Sequence, residues 1–100
     1  MVLYSAILYM RMDINKEIGQ RIKATRLERK LSREQIARRI GTTQQTVEKY
    51  EKGKIDISVR RLTQISNVLN VGITHFLKDE KAFKHYVGLQ VNTLSSRKDV

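Results

Sequence analysis

Two consecutive glutamines, Gln44 and Gln45, are the side chains in this sequence whose chemistry and spacing best suit recognition of another molecule. Two threonines precede them, and Lys49 follows about one helical turn further along. A glutamine amide carries a donor and an acceptor side by side, so it can pair bidentately with N6 and N7 of adenine, a pattern unique to A·T pairs in the major groove. A lysine at that distance can donate to guanine or to a phosphate. In the alternative interpretation, the glutamines are ordinary polar residues of a helix and the threonines only cap its start.

The composition favours a polyanionic partner and argues against several other chemistries. The 100 residues include 20 Lys and Arg against 10 Asp and Glu, a formal net charge of +10. Such an excess on a small chain favours nucleic acid as the partner first and an anionic membrane second. Cysteine is absent, which excludes disulfides and thiolate metal sites and fits a reducing cytoplasm. We find no carboxylate pair, metal-ligand spacing, nucleophile–base set or Gly-rich phosphate loop, so we expect no enzyme, no metal and no cofactor. His75 is expected to be a surface or packing residue.

A first amphipathic helix is predicted over residues 14–30. Ile14, Ile18 and Ile22 recur at four-residue spacing and form one apolar stripe. Arg26 continues that stripe, which is unusual for a charged residue. The position therefore predicts a guanidinium that is half buried and paired with a partner.

Two short helices follow, joined by only two or three residues. Ser32 and Gln35 match a capping box, which predicts a helix start, and Gly41 is typical of the left-handed residue after a helix end. Either Thr42 or Thr43 then caps the next helix. The residues expected to face inward are Ile36, Ala37 and Ile40 in the first of these helices and Val47, Tyr50 and Glu51 in the second. Because so short a linker forces the helices to cross steeply, the pattern predicts a helix-turn-helix whose second helix stands outward.

Two further helices complete the expected domain. Ser58 caps the fourth, and Thr74 is expected to cap a short fifth helix that carries Phe76 and Leu77. The apolar face of the fourth helix consists of Leu62, Ile65 and Leu69. We therefore expect residues 14–78 to form a compact all-α domain of five short helices, with no strand.

The segments that flank this domain leave alternatives open. Residues 1–13 are an N-terminal extension, and the run MVLYSAILYMRM is too short to span a bilayer, which needs about 20 residues. The run also lacks the basic start and the cleavage site of a signal peptide. It is either the product of an upstream start, a packing or dimer element, or a targeting segment. Residues 79–100 form a tail with both helix-like and strand-like patterns, and this tail is a candidate dimerisation element.

At this point a family resemblance becomes visible. Residues 18–77 resemble the helix-turn-helix domain of the phage lambdoid repressor and Cro family, also called the XRE family of bacterial regulators. The resemblance is carried by IGQRIKATRLERKLSREQIARRIGTTQQTVEKYEKGK, followed by LTQISNVLNVGITHFL. The segment GTTQQTVEKYEKGK is similar to the recognition region of lambdoid repressors that read DNA through consecutive glutamines. The resemblance implies a compact, lambda-repressor-like domain of five helices.

The resemblance also implies roles for individual residues. Gln44, Gln45 and Lys49 occupy base-reading positions, Arg33, Thr43 and Lys54 occupy phosphate-contacting positions, and Arg26 and Glu51 match a family ion pair between the first helix and the end of the recognition helix. The sequence departs from its near look-alikes at Lys49, where a glutamine is typical. It also places Asp56 in a loop that is more basic in many members. Backbone contact is therefore expected to shift toward Lys54, Arg60 and Arg61, the last two of which open the fourth helix.

The expected function is sequence-specific binding of double-stranded DNA by a transcriptional regulator. We expect a repressor that binds a palindromic operator as a homodimer, through recognition helix 44–52. We expect it to be cytoplasmic and nucleoid-associated, and of bacterial or phage origin. One alternative is an antitoxin of the same fold, whose main role is to hold a toxin-like protein partner. A second alternative, from another class, is a basic membrane-surface protein anchored by MVLYSAILYM, although a membrane partner is not what the pattern favours.

Overall fold

The backbone of residues 2–77 is helical apart from short connections. A computed structural model describes these residues, with their side chains from residue 14 onward. The elements are α1 (Val2–Glu28), α2 (Arg33–Ile40), α3 (Gln44–Glu51), α4 (Val59–Leu69) and a single 3-10 turn, Ile73–His75. Residues 2–77 contain no strand, so the all-α prediction is confirmed. The predicted tail, residues 79–100, lies outside the described residues.

The first helix, α1, is an unbroken helix of 27 residues. The segment expected as an extension therefore continues from Val2 directly into the first helix of the domain. The helix ends at Glu28, earlier than the sequence predicts, because Lys30 adopts a left-handed conformation with φ of 56°. The N–H of Leu31 then donates to the carbonyl of Arg26, which closes the turn. Within residues 2–77, neither α1 nor any other helix has the length and apolar character needed to cross a membrane.

The helix boundaries around the central turn follow from local capping chemistry. The hydroxyl of Ser32 accepts from the N–H of Gln35 at 3.1 Å, and the Gln35 side chain accepts from the N–H of Ser32 at 2.7 Å. The predicted capping box is thus confirmed. Gly41 follows α2 with φ of 72°, a left-handed conformation that glycine adopts without steric cost. Ser58 caps α4 as predicted, through the N–H of Arg61 at 3.0 Å.

The prediction of a fifth α-helix is wrong. Residues 73–75 form one 3-10 turn, and Thr74 lies inside that turn instead of capping a helix. Phe76 and Leu77 follow the turn and are buried in the core. The carbonyl of Phe76 accepts from the guanidinium of Arg21 on α1 at 3.2 Å. Burial of Phe76 and Leu77 and this long-range hydrogen bond therefore determine the backbone conformation of residues 73–77. They outweigh the local capping pattern at Thr74, which predicts a helix.

The core lies where α1, α2, α3 and α4 meet, and arginines tie helix ends around it. The fully buried side chains are Ile18, Ile22, Ile36, Val47, Ile57, Leu62, Ile65, Leu69 and Phe76. Arg29, directly after the end of α1, donates to the carbonyl of Leu69 at the end of α4, at 3.0 Å. Arg61 on α4 donates in the same way to the carbonyl of Ile40, the last residue of α2. These donations satisfy carbonyl groups that helix ends leave without an intrahelical partner.

Gly19 lets α1 lie directly against the end of α3. A Cβ atom at this position would stand 2.5 Å from the carbonyl oxygen of Glu51 and closer still to that of Tyr50. Both neighbours are backbone atoms, which cannot rotate away as a side chain would. Close approach of the two helices therefore requires glycine at this site.

We expect Gly19→Ala to lower the free energy of unfolding by about 1–3 kcal/mol, because α1 and α3 must separate to admit the methyl group. Urea denaturation followed by circular dichroism measures the change. Gly72→Ala is the matched control, since its Cβ would meet only the Thr74 hydroxyl at 3.6 Å and its φ is −76°. Equal stability of the Gly19 variant and this control would show that the helices do not need the close approach.

Candidate nucleic-acid interface

The start of α3 is fixed by Thr43, which resolves the choice between the two threonines. The Thr43 hydroxyl accepts from the N–H of Thr46 at 3.2 Å and lies 3.0 Å from the Thr46 hydroxyl. Gln44 and Gln45 are consequently the first two residues of the helix, and both are exposed. Side chains on a helix lean toward its N-terminus, so these two amides stand off the tip of α3.

The two sides of α3 have opposite characters. Val47, Tyr50 and Glu51 are buried against the rest of the domain, as predicted. The opposite side carries the exposed residues Gln45, Lys49 and Lys52, together with half-buried Glu48, and Gln44 is exposed because it opens the helix. The domain therefore holds α3 by one face and presents a polar face to any partner.

The buried end of α3 is held by a charged cluster of three residues. The carboxylate of Glu51 accepts from Nε of Arg26 at 2.6 Å and from Nη2 of the same arginine at 3.1 Å. Nη1 of Arg26 donates to the carbonyl of Leu31, in the turn between α1 and α2. Nε of Arg33, at the start of α2, donates to Glu51 at 2.9 Å. Three helices thus meet at one carboxylate, and this second arginine is a contact that the sequence does not predict.

A second cluster lies on the outer face of α3 around Glu48. The Lys52 ammonium donates to the Glu48 carboxylate at 2.6 Å. This hydrogen bond and the Lys52 charge lower the pKa of Glu48, and the charges of Arg33 and Lys54 add to the effect. Positive residues from the start of α2 and from the end of α3 thus each bond a glutamate in the last turn of α3, since Arg33 binds Glu51 and Lys52 binds Glu48. The four-residue spacing of Glu48 and Lys52 was a readable signal for their pair.

The structure places the remaining predicted phosphate-contacting residues in different environments. Lys54 is exposed directly after α3, where Gly53 turns the chain with φ of 68° and the N–H of Lys54 donates to the carbonyl of Lys49 at 3.0 Å. Arg60 is also exposed, in the first turn of α4. Arg61 is half buried, because its Nη1 donates to the Ile40 carbonyl and to Gln64. Its guanidinium thus holds α4 against the end of α2.

Asp56 and His75 both contact other residues of the domain. Asp56, in the loop after α3, accepts from the Asn15 amide of α1 at 2.6 Å. His75 lies 3.0 Å from the hydroxyl of Thr25 through Nε2 and packs edge-on against Phe76. The arrangement makes His75 a packing residue. Among the described residues, no group of His, Cys, Asp or Glu could hold a metal ion.

The pair α2 and α3, joined through Gly41 and with α3 presented outward, defines a helix-turn-helix domain. A helix-turn-helix family model matches residues 22–76. The chain belongs to this XRE-type helix-turn-helix family of DNA-binding transcriptional regulators.

Relatives with curated names agree with this assignment. The chain is 37% identical over 81 residues to an uncharacterized transcriptional regulator in the ATPase CF(0) region of Rhodospirillum rubrum, across 80% of this chain and 75% of that protein. It is 43% identical over 65 residues to an HTH-type transcriptional regulator of Rickettsia prowazekii, across 65% of this chain and 50% of that one. The chain thus spans three quarters of the first relative and half of the second. Transcriptional regulators are a non-enzymatic class.

A solved structure shows the same fold. The restriction-modification controller protein C.AhdI from Aeromonas hydrophila superposes with a TM-score of 0.60, over 64% of this chain and 96% of that chain. The sequences are 23% identical, so the similarity concerns the fold alone.

We expect Glu51→Ala to lower the free energy of unfolding by about 3–5 kcal/mol, because it leaves the buried guanidinium of Arg26 without a counter-charge. Chemical denaturation measures the loss. Glu34→Ala is the control: Glu34 also pairs with an arginine, Arg38, but the two side chains are 59% and 76% exposed. An exposed pair of this kind contributes about 0–1 kcal/mol. Similar losses in both variants would contradict a special role for the buried carboxylate.

Proposed function

We propose that this protein is a sequence-specific, double-stranded DNA-binding repressor that acts as a homodimer on a palindromic operator. The observation that carries the proposal is the position of Gln44 and Gln45. Both are exposed in the first turn of a helix that the domain holds by its buried residues Val47, Tyr50 and Glu51. A helix inserted into the major groove meets base edges with these N-terminal residues.

The base-reading residues are Gln44, Gln45 and Lys49. Each glutamine amide can accept from N6 and donate to N7 of adenine, and Lys49 can donate to O6 or N7 of guanine. Their exposed positions leave these side chains available for bases. The buried face of α3 fixes the backbone that carries the two glutamines, so binding need not order the helix itself.

The phosphate-contacting residues proposed around the groove are Arg33, Thr43, Lys54, Arg60 and Arg61. Lys54 and Arg60 are exposed cations close to the ends of α3 and α4. Arg61 contacts a phosphate only with the nitrogens that its bonds to Ile40 and Gln64 leave available. Contacts of this kind set the register of a protein on the duplex and carry no sequence information themselves.

The size of the recognition helix supports a homodimer. With eight residues, α3 is about 12 Å long and can read only a few base pairs. Two copies related by two-fold symmetry read two half-sites separated by about one turn of DNA, which lengthens the recognised sequence and makes it palindromic. A dimer bound across a promoter would repress by blocking access to it. This mechanism requires only that the dimer binds tightly and that its operator overlaps the promoter.

Selection from a random double-stranded DNA pool with the full chain tests the proposal. We expect the enriched sequences to contain an inverted repeat with half-sites about one helical turn apart. Sedimentation of the protein with one such duplex is expected to show two protein chains per duplex. Enrichment of no sequence would overturn specific DNA binding, whereas one chain on a single half-site would overturn only the dimer.

Gln44→Ala is expected to relax discrimination at one A·T pair of each half-site and to weaken binding to the selected duplex by about 1–3 kcal/mol. Fluorescence anisotropy on the selected duplex and on single-base variants measures both effects. Gln20→Ala, at an exposed glutamine of α1, is the matched control and is expected to bind like the wild type. An equal loss on selected and random DNA would mean that Gln44 positions the helix without reading a base.

Lys54→Ala is expected to weaken binding to every duplex and to reduce the slope of log K against log salt concentration by about one unit. The physical reason is that one fewer phosphate is neutralised and one fewer counterion is released. Titrations at several salt concentrations give the slope, with Lys23→Ala, at an exposed lysine of α1, as the control. An unchanged slope would rule out the phosphate contact at Lys54.

A further inference from the structure

The two arginines bound to Glu51 use their nitrogens differently. All three nitrogens of Arg26 are engaged within the domain, two by Glu51 and one by the carbonyl of Leu31. Within the described residues, Arg33 donates through Nε alone, to Oε1 of Glu51. Its two terminal nitrogens, Nη1 and Nη2, belong to the same planar group, which the Glu51 carboxylate holds at Nε. A planar guanidinium held at Nε can still offer a parallel pair of N–H groups to an anion.

The cluster formed by Arg26, Arg33 and Glu51 carries a net positive charge, and its most exposed member is Arg33. Two arginines and one glutamate give a net charge of +1 (two positive charges minus one negative charge). The side chains of Arg26 and Glu51 are only 9% and 1% exposed, whereas that of Arg33 is 25% exposed. The pair inside the domain is therefore neutral, and the surplus positive charge reaches solvent through Arg33.

The surplus charge lies beside the last turn of α3, because Arg33 is bonded to Glu51, the last residue of that helix. The Arg33 charge also helps to lower the pKa of Glu48 in the same turn. Glu48 borders the face of α3 that carries the exposed residues Gln45, Lys49 and Lys52. A duplex seated on α3 would thus bring its sugar–phosphate backbone past the start of α2.

We propose that Glu51 is a positioning residue that holds Arg33 as a preformed, bidentate clamp for a DNA backbone phosphate. This inference rests on the proposed function and adds a second role to a buried carboxylate whose first role is structural. An arginine that is already ordered before binding loses less side-chain freedom when it meets the phosphate. A lysine at the same position keeps the charge but offers one ammonium, which cannot bind the carboxylate and two phosphate oxygens in the same planar arrangement.

Three variants of the full chain separate charge from positioning. Arg33→Lys is expected to weaken binding to the selected duplex about tenfold while the salt slope stays as in the wild type, since the number of neutralised phosphates is unchanged. Arg33→Gln is expected to weaken binding and also to reduce the slope by about one unit. Arg38→Lys is the control, because Arg38 also donates to a glutamate, Glu34, but lies on an exposed part of α2. Affinity of Arg33→Lys within twofold of the wild type would overturn the clamp.

A measurement on the free protein tests the positioning directly. In ¹⁵N-labelled protein at neutral pH, the Nε–H group of Arg33 is expected to exchange with water at least about tenfold more slowly than that of Arg38, because a buried carboxylate holds it. Equal exchange rates would show that Glu51 does not order Arg33 and would overturn the inference. If the wild type binds no duplex, the proposed function fails together with the clamp. If it binds and Arg33→Lys behaves as the wild type, the clamp alone fails.

Discussion

A single buried carboxylate, that of Glu51, holds three helices of this domain together. Taking a charged group out of water costs several kcal/mol per ion unless partners replace the lost hydration. Here Arg26 from α1 and Arg33 from α2 supply three donors to its two oxygens. The requirement that these groups meet fixes α3 relative to α1 and α2. The position and orientation of the outer face of α3 are consequently fixed within the domain itself, before any partner binds.

Several arginines of this basic protein bond other parts of the domain, so they are not all available to bind a partner. Arg21, Arg29 and Arg61 each donate to a backbone carbonyl on another element, at Phe76, Leu69 and Ile40. Each contact links segments distant in the chain and satisfies a carbonyl that would otherwise need water. Net charge indicates the class of partner, but it overstates how many cations stand ready to meet that partner. Arginine thus links distant segments inside the domain, and we propose that it also binds anions at the surface.

Features governed by local chemistry were predictable from sequence, and features governed by distant contacts were not. Ser32 and Gly41 mark the ends of α2 because capping and left-handed turns depend on neighbouring residues alone. Thr74 gave the same kind of signal, yet no α-helix follows it, since burial of Phe76 decides the path of the chain. The inward turn of Arg61 depends on the end of α2, which is 21 residues away in sequence. The residues proposed to read bases were identifiable because their type and helical position suffice to predict exposure.

The separation of α3 into a held face and a free face has a consequence for how such a protein can diversify. Val47 and the close approach at Gly19 constrain the inner side, where few substitutions are compatible with folding. Gln44, Gln45 and Lys49 are exposed, and replacing them removes no packing from the core. Under the proposed function, paralogues descended from one ancestor could therefore acquire separate target sites through changes at three positions, without passing through unstable intermediates. A change at Lys49, an exposed residue of that outer side, is the kind of step that this architecture permits.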